Sequence, residues 1–157
     1  MEIKITNDNR KQIIEQVNQK IENALIICGQ SAERYAKGLC TYRTGLLRNS
    51  ITYAVSGDSP AISSYKADKS DARGSYSGSV GDKKEKAVYV GSNVEYAPFI
   101  ELGTGRRTKG GRQSKWSYKS DDGVKSTTGG MAQPFLRPAI SDHSGEYQRI
   151  IEGELSK

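Results

Sequence analysis

Few side chains in this sequence could do chemistry, and their spacing limits what that chemistry could be. The thiols are Cys28 and Cys40, and the single histidine is His143. A cysteine nucleophile needs a base within hydrogen-bond reach, so Cys40 with His143 is the one pairing on which covalent catalysis could be built. Nothing in their spacing brings them together. Two cysteines and one histidine fall short of the ligand count of a zinc site and make no disulfide framework. On one helix the cysteines would stand about 18 Å apart, at 1.5 Å rise per residue. Gly103-Thr104-Gly105 has neither the lysine nor the spacing of a phosphate-binding loop. The expectation is a chain that is not an enzyme and carries no metal or cofactor.

Charge is placed less evenly. Between Thr104 and Ser120 stand Arg106, Arg107, Lys109, Arg112, Lys115 and Lys119, with no acidic residue. These six cations equal the net charge of +6 of the whole 157-residue chain, so the remainder is balanced. A basic arm on a near-neutral body fits a polyanionic or acidic partner; a loop kept soluble by its charges is the plain alternative. Trp116 and Tyr118 beside the arm could stack bases, which raises a second class of reading, a nucleic-acid-binding protein. Against it, no helix carries a stripe of Arg and Asn for groove reading, and the arm has no known RNA-binding signature. What the arm supports by itself is a weak, sequence-blind attraction to DNA that falls steeply with salt.

The elements that must position these groups are read from periodicity. Apolar residues at steps of three and four, from Ile13 through Val17, Ile21, Cys28, Ala32 and Ala36 to Leu39, predict one long amphipathic helix over about 9–39 that covers a core on one side. Asn7, Asp8 or Asn9 would cap it, with Gln12 three residues after Asn9 as in a capping box. Gly29 and Gly38 inside it admit a close neighbour or mark a bend. Thr44-Gly45 reads as entry to a short helical turn with Leu46 and Leu47 inward.

Alternation predicts a strand over 50–56, with Ile51, Tyr53 and Val55 on one face, and a second over 87–91; the two pair as a long hairpin. Of the 30 residues over 57–86, 11 are Gly or Ser, and large apolar residues are few. That composition predicts an extended arm ordered against a neighbour. Tyr96–Leu102 reads as a helical turn that tolerates Pro98 near its start and stops at Gly103 as a left-handed cap. Strands at Trp116–Tyr118 and Val124–Thr127 would pair across Asp121-Asp122-Gly123. Beyond Gly129-Gly130 one last helix begins near Pro134 or Pro138, Pro138 favouring a start nearer Arg137, with Phe135, Leu136, Ala139, Ile140, His143, Tyr147, Ile150, Ile151 and Leu155 in helical spacing.

The class expected is α+β, one domain over 1–157: a small antiparallel sheet packed by a long N-terminal helix and a C-terminal helix, with loops at 57–86 and 104–130. A hydrophobic content of 34% fits a modest core. No run approaches the ~18 apolar residues of a membrane span, so no membrane partner is expected. Residues 1–8 lack the pattern of a secretory leader, so synthesis in a cytoplasm is expected.

Three segments are denser in apolar and special-backbone residues than the rest. Thr44-Gly45-Leu46-Leu47-Arg48-Asn49-Ser50-Ile51 resembles the TG-x-L-R-x-S-I segment of tailed-bacteriophage tail-completion proteins, also called head–tail joining proteins. The run from Val90 through Tyr96, Glu101, Gly103, Thr104 and Gly105 resembles that family's VG-(S/T)-N-x-x-Y-A-x-(Y/F)-x-E-x-GTG core. Gln133-Pro134-Phe135-Leu136-Arg137-Pro138-Ala139-Ile140 resembles its x-P-F-L-R-P-A-L start of the last helix. The match runs in order over about 10–155; the departure is the 57–86 segment, longer than the family's loop.

The resemblance implies a structural virion protein of a long-tailed phage, assembled in the host cytoplasm. Copies would form a ring, sixfold by expectation, at the neck where tail meets head connector, with DNA passing through its opening. Its partners would be copies of itself and the neighbouring neck and tail proteins; a tail terminator or a head-closure ring is the alternative within the virion. Thr44, Gly45, Leu47, Ile51, Tyr96, Glu101, Gly103, Thr104, Gly105, Phe135, Arg137 and Pro138 would then be motif or subunit-interface positions. Glu101 reads either as a helix-surface carboxylate or as an inter-subunit partner for an arginine such as Arg106 or Arg137.

Overall fold

The computed structural model describes residues 9–43, 45–56 and 86–157. Asn7, Asp8, Thr44 and all but the last residue of the 57–86 arm lie outside the described residues, so the readings made of them do too.

The long helix, α1, spans Arg10–Leu39, about 45 Å at 1.5 Å per residue. Its buried face consists of small side chains: Ala24, Cys28, Gly29, Ala32 and Ala36. Residues four apart lie one above another on a helix, so Ala24, Cys28, Ala32 and Ala36 form a shallow seam that neighbours can approach closely. The expected capping box is not made. Asn9 holds the N-cap position at φ −86° and ψ 5° with no side-chain bond to the helix, whereas a capping side chain needs extended backbone to fold back over the first turn.

The apolar stripe also outruns the core it was expected to cover. Ile13, Ile14 and Val17 are 56%, 61% and 43% exposed, and the first buried residue of the helix is Ala24. The N-terminal turns of α1 are therefore an overhang whose apolar side has no cover among the described residues.

Against α1 lie a hairpin and the C-terminal helices. β1 (Ile51–Val55) pairs antiparallel with β2 (Val88–Ser92), Ile51 opposite Ser92 and Val55 opposite Val88. The pairing is as expected, but burial reaches both faces, taking in Ala54 and Ser56 besides Ile51 and Val55. Where β1 begins, the buried Ser50 Oγ donates to the Leu47 carbonyl at 2.7 Å and lies 2.6 Å from Ser92 Oγ. The buried Ser50 hydroxyl is thus fully satisfied.

β3 (Trp116–Ser120) and β4 (Gly123–Thr127) pair antiparallel across Asp121-Asp122. They form a second, separate two-stranded sheet rather than part of one small sheet. No residue of this hairpin is buried, so no apolar face draws it onto the first sheet.

The last helix is two. α4 (Leu136–Ser141) and α5 (Ser144–Leu155) are separated at Asp142-His143, where Ser141, Asp142, Ser144 and Gly145 are weak helix formers. The break turns the His143 ring flat against Tyr35 of α1, centroids 3.4 Å apart and planes 3° from parallel. Beside it the Tyr35 hydroxyl donates to Glu146 Oε2 at 2.6 Å, and the Tyr147 hydroxyl donates to the Ala139 carbonyl at 2.6 Å. Burial first, with the Glu146 charge behind it, pushes the Tyr147 hydroxyl up to about 12.

The core gathers where α1 ends. Ala36 and Cys40 meet Leu47 of α2 (Leu46–Ser50), Ile51, Val94, Ala97 of α3 (Ala97–Leu102), Phe135 and Ala139. Both cysteines are free and buried. Among the described residues no helix is long and apolar enough to cross a membrane.

Gly29 shows how close the packing is. A Cβ there would lie 2.5 Å from a Tyr53 ring carbon and 2.9 Å from a Val88 methyl, whereas one at Gly38 would meet nothing within 4 Å. Ala for Gly gains about 1 kcal/mol of helix propensity, but overpacking costs about 1–3 kcal/mol. Gly29→Ala should therefore lower stability in a denaturant melt while Gly38→Ala raises it; a stabilised Gly29→Ala would refute the close approach.

Candidate functional site

The second and third sequence motifs are joined by backbone, and the joint begins at Gly103. That residue was expected to be a left-handed helix cap. Its φ of 77° is positive, but its ψ of −177° is extended, a conformation essentially reserved for glycine. The chain therefore leaves α3 straight, towards residues 128–133, instead of curling back over the helix.

There a ladder of bonds closes. Gln133 N–H donates to the Ile100 carbonyl at 2.8 Å, Thr104 N–H to Gly130 at 3.0 Å and Arg106 N–H to Thr128 at 2.9 Å. Gly130 N–H donates back to Thr104 Oγ1 at 2.8 Å. A Cβ on Gly105 would collide with the Thr128 carbonyl and the Trp116 ring, and one on Gly129 with the Thr104 carbonyl. Gly-Thr-Gly is a clasp of backbone on backbone, and Gly129-Gly130, read from sequence only as a break, is its other jaw.

Glu101 holds the joint from the other side. Phe135, at the start of α4, has no capping side chain of its own. The Glu101 carboxylate supplies the cap from α3: Oε2 accepts from the N–H groups of Phe135 at 2.7 Å and Leu136 at 3.0 Å, and Oε1 from Arg137 at 3.0 Å. Burial pushes this carboxyl up, but the N–H bonds from Leu136, Phe135 and Arg137, helped by the Arg137 charge, outweigh it and hold it below its ordinary 4.5. A carboxylate at a helix N-terminus also meets the favourable end of the helix dipole. The reading of Glu101 as a surface carboxylate or an arginine partner missed this role. Its signal was the acid on the turn before Gly103 and a Phe-Leu-Arg-Pro helix start with no Ser, Thr, Asn or Asp to cap it.

The first motif joins the other two around a groove of about 620 Å³, lined by Thr41, Arg43, Gly45, Leu46, Leu47, Tyr96, Ile100 and Gln133. Leu47 and Ile51 are core residues at 5% and 0% exposure, and Phe135 is fully enclosed. Pro138 stands third in α4, where a missing N–H costs little. Arg137 is exposed. The lining of the groove is mostly apolar, with Arg43 its one cation.

Cys40 and His143, the pair considered for catalysis, contact different partners. Cys40 Sγ points to the Thr41 carbonyl at 3.6 Å, and burial pushes its thiol up against a smaller opposing pull from Arg48, away from thiolate character. His143 sits at Tyr35, with Nδ1 3.7 Å from Glu146 Oε2. Cys28 contacts the Tyr147 carbonyl at 3.8 Å and is likewise raised, by burial and then by Glu146. Among the described residues no three of His, Cys, Asp and Glu are grouped to hold a metal ion.

The six cations of the arm divide. Arg106 Nε donates to the Gln113 carbonyl, and Arg112 Nε donates to Ser114 Oγ at 2.8 Å with its guanidinium 5.8 Å from the centre of the Trp116 ring. Arg107, Lys109, Lys115 and Lys119 are exposed.

Compared with protein-family models, with curated proteins and with solved structures, the chain matches none.

Because the folded-state pKa of Glu101 is depressed, its contribution to stability is complete above the ordinary value and is lost as pH falls through the folded one. Glu101→Gln keeps a carbonyl oxygen but loses the charge, and should cost about 1–2 kcal/mol at pH 7. The gap to the unaltered protein should close as denaturation is repeated at pH values falling below 4.5. A gap that persists unchanged into acid would show that the charge is not what caps α4.

Proposed function

We propose that this chain is a structural protein of a tailed-bacteriophage virion that packs with copies of itself into a ring at the head–tail interface. It completes the tail and joins it to the head, and DNA passes through the ring. The motif resemblance suggests the family. The observation that carries the assembly reading is a pair of open apolar surfaces at opposite ends of one long helix. The overhang of Ile13, Ile14 and Val17 lies at the N-terminal end of α1, and the groove lined by Leu46, Leu47, Tyr96 and Ile100 lies just past its C-terminal end.

Two surfaces about 40 Å apart on one molecule cannot meet each other. Each can meet the other kind on a neighbouring copy. Such a head-to-tail contact is heterologous, and with a suitable rotation it closes into a ring. Under this reading the three motifs are building instructions: Glu101 and the Gly-Thr-Gly clasp hold the groove's walls, and no turnover takes place.

The triple variant Ile13→Ser/Ile14→Ser/Val17→Ser alters exposed side chains and should leave the melting curve nearly unchanged, within about 0.5 kcal/mol. Native mass spectrometry should show a higher oligomer for the unaltered chain, alone or with phage heads and tails added in turn, and the variant should lose it. The addition that converts subunits into a ring separates tail completion from the terminator and head-closure roles. An unaltered chain that stays monomeric in every mixture, or a triple variant that assembles as well as the original, would overturn the proposal.

A further inference from the structure

We propose that the loop and hairpin over 104–127 bind the phosphate backbone of duplex nucleic acid without regard to its sequence. None of the six arm cations forms an ion pair among the described residues. Two of them shape the surface. Arg106 closes the loop on the Gln113 carbonyl, and Arg112 lies over Trp116. The clasp at Thr104 and Gly130 roots the loop, so Arg107, Lys109, Lys115 and Lys119 are presented from a fixed base. Lys125, the remaining hairpin cation, is neutralised by Asp122 at 2.8 Å.

The chemistry of the loop selects among polyanions. From Arg106 to Lys115 every residue is Arg, Lys, Gly, Thr, Ser or Gln. Arg and Lys lead the side chains that make phosphate contacts, with Ser, Thr and Gln beside them. A protein-binding surface has an apolar, desolvated centre, and this loop has none. A single strand needs open aromatic faces on which bases stack; Trp116 is half-buried against Gly105 with Arg112 above it, which leaves Tyr118 alone. A duplex backbone asks only for spaced cations and hydrogen-bond donors.

The test is fluorescence anisotropy of the full chain with labelled random-sequence 30-base-pair DNA, titrated at several salt concentrations. Four phosphate contacts predict a log–log slope near −3.6, so affinity should fall about 10²-fold between 50 and 200 mM salt. Each of Arg107→Gln, Lys109→Gln, Lys115→Gln and Lys119→Gln should remove about 0.9 from that slope. Arg149→Gln, on α5, should leave it unchanged, and circular dichroism confirms that each variant is folded. Undiminished binding by the fourfold variant, a flat salt response, tighter binding to single strands, or capture of poly-glutamate in place of the duplex would each overturn the proposal. It does not rest on the ring reading: a chain that binds duplex in this way yet never oligomerises sinks the ring and leaves this surface standing.

Discussion

One carboxylate holds the arrangement together. Glu101 takes three backbone N–H groups at the start of α4, joining two segments more than thirty residues apart through bonds that a charged acceptor makes about twice as strong as a neutral one. Without it, Phe135 would have to be buried at a helix start with several donors unpaired, and each such donor costs about 1–3 kcal/mol. The Ile100–Gln133 and Thr104–Gly130 bonds lie directly beside it. Everything between them, the basic loop and the β3–β4 hairpin, is an excursion whose two ends are pinned together. A two-stranded hairpin is at best marginally stable alone; here its base is fixed by the clasp and by Trp116 against Gly105.

The core beneath this joint is thin. A seam of alanines, a cysteine and a glycine on α1 lets Tyr53 and Val88 lie almost on the helix backbone, but small side chains remove little apolar area from water. Directional contacts carry part of the remaining load between α1 and the C-terminal helices: the Tyr35–His143 stack and the Tyr35–Glu146 bond, while the Tyr147–Ala139 bond ties α5 to α4. Such contacts fix orientation more firmly than a greasy seam would, so α5 is set against α1 at one register. The break at Asp142-His143 makes this geometry available, since a continuous helix would carry His143 on as one more member of an apolar stripe.

Long-range partners are what the sequence withheld. Periodicity located α1 to within a residue, because a thirty-residue pattern repeats its message many times. Alternation located both hairpins, and the Asp-Asp-Gly turn located the tip of the second. Neither signal says whether two hairpins share a sheet, since that depends on whether a face is apolar enough to be buried. The α4–α5 break was visible only as a run of weak helix formers, overridden in the reading by the spacing of Ile140, Tyr147 and Ile151. At the joint, the importance of Glu101 and of Gly103-Thr104-Gly105 was legible, but their work was not. A carboxylate that caps a helix from another element leaves no local trace except an uncapped start elsewhere. Gly103 was assigned the commonest use of a glycine after a helix, while its ψ angle is dictated by residues near 130 that no local window contains.

The surfaces proposed to bind partners are of two kinds, and the difference in their physics orders the proposed roles. The overhang and groove are apolar, so an association through them is driven by removal from water and holds or strengthens as salting-out ions are added. The arm is cationic and hydrophilic, so the attraction to phosphate proposed for it would be a counterion effect that high salt erases. Segregating the two kinds of surface keeps the six arm cations away from the groove, whose lining holds one arginine, Arg43, and where desolvating further unpaired charge would be costly. A ring built on the first kind would therefore stay closed under conditions that release a polyanion from the second. For a collar that must stay assembled while a charged polymer moves through it, firm apolar seams between subunits and a weak, sequence-blind grip on the polymer are compatible; a strong or sequence-specific grip would oppose the passage.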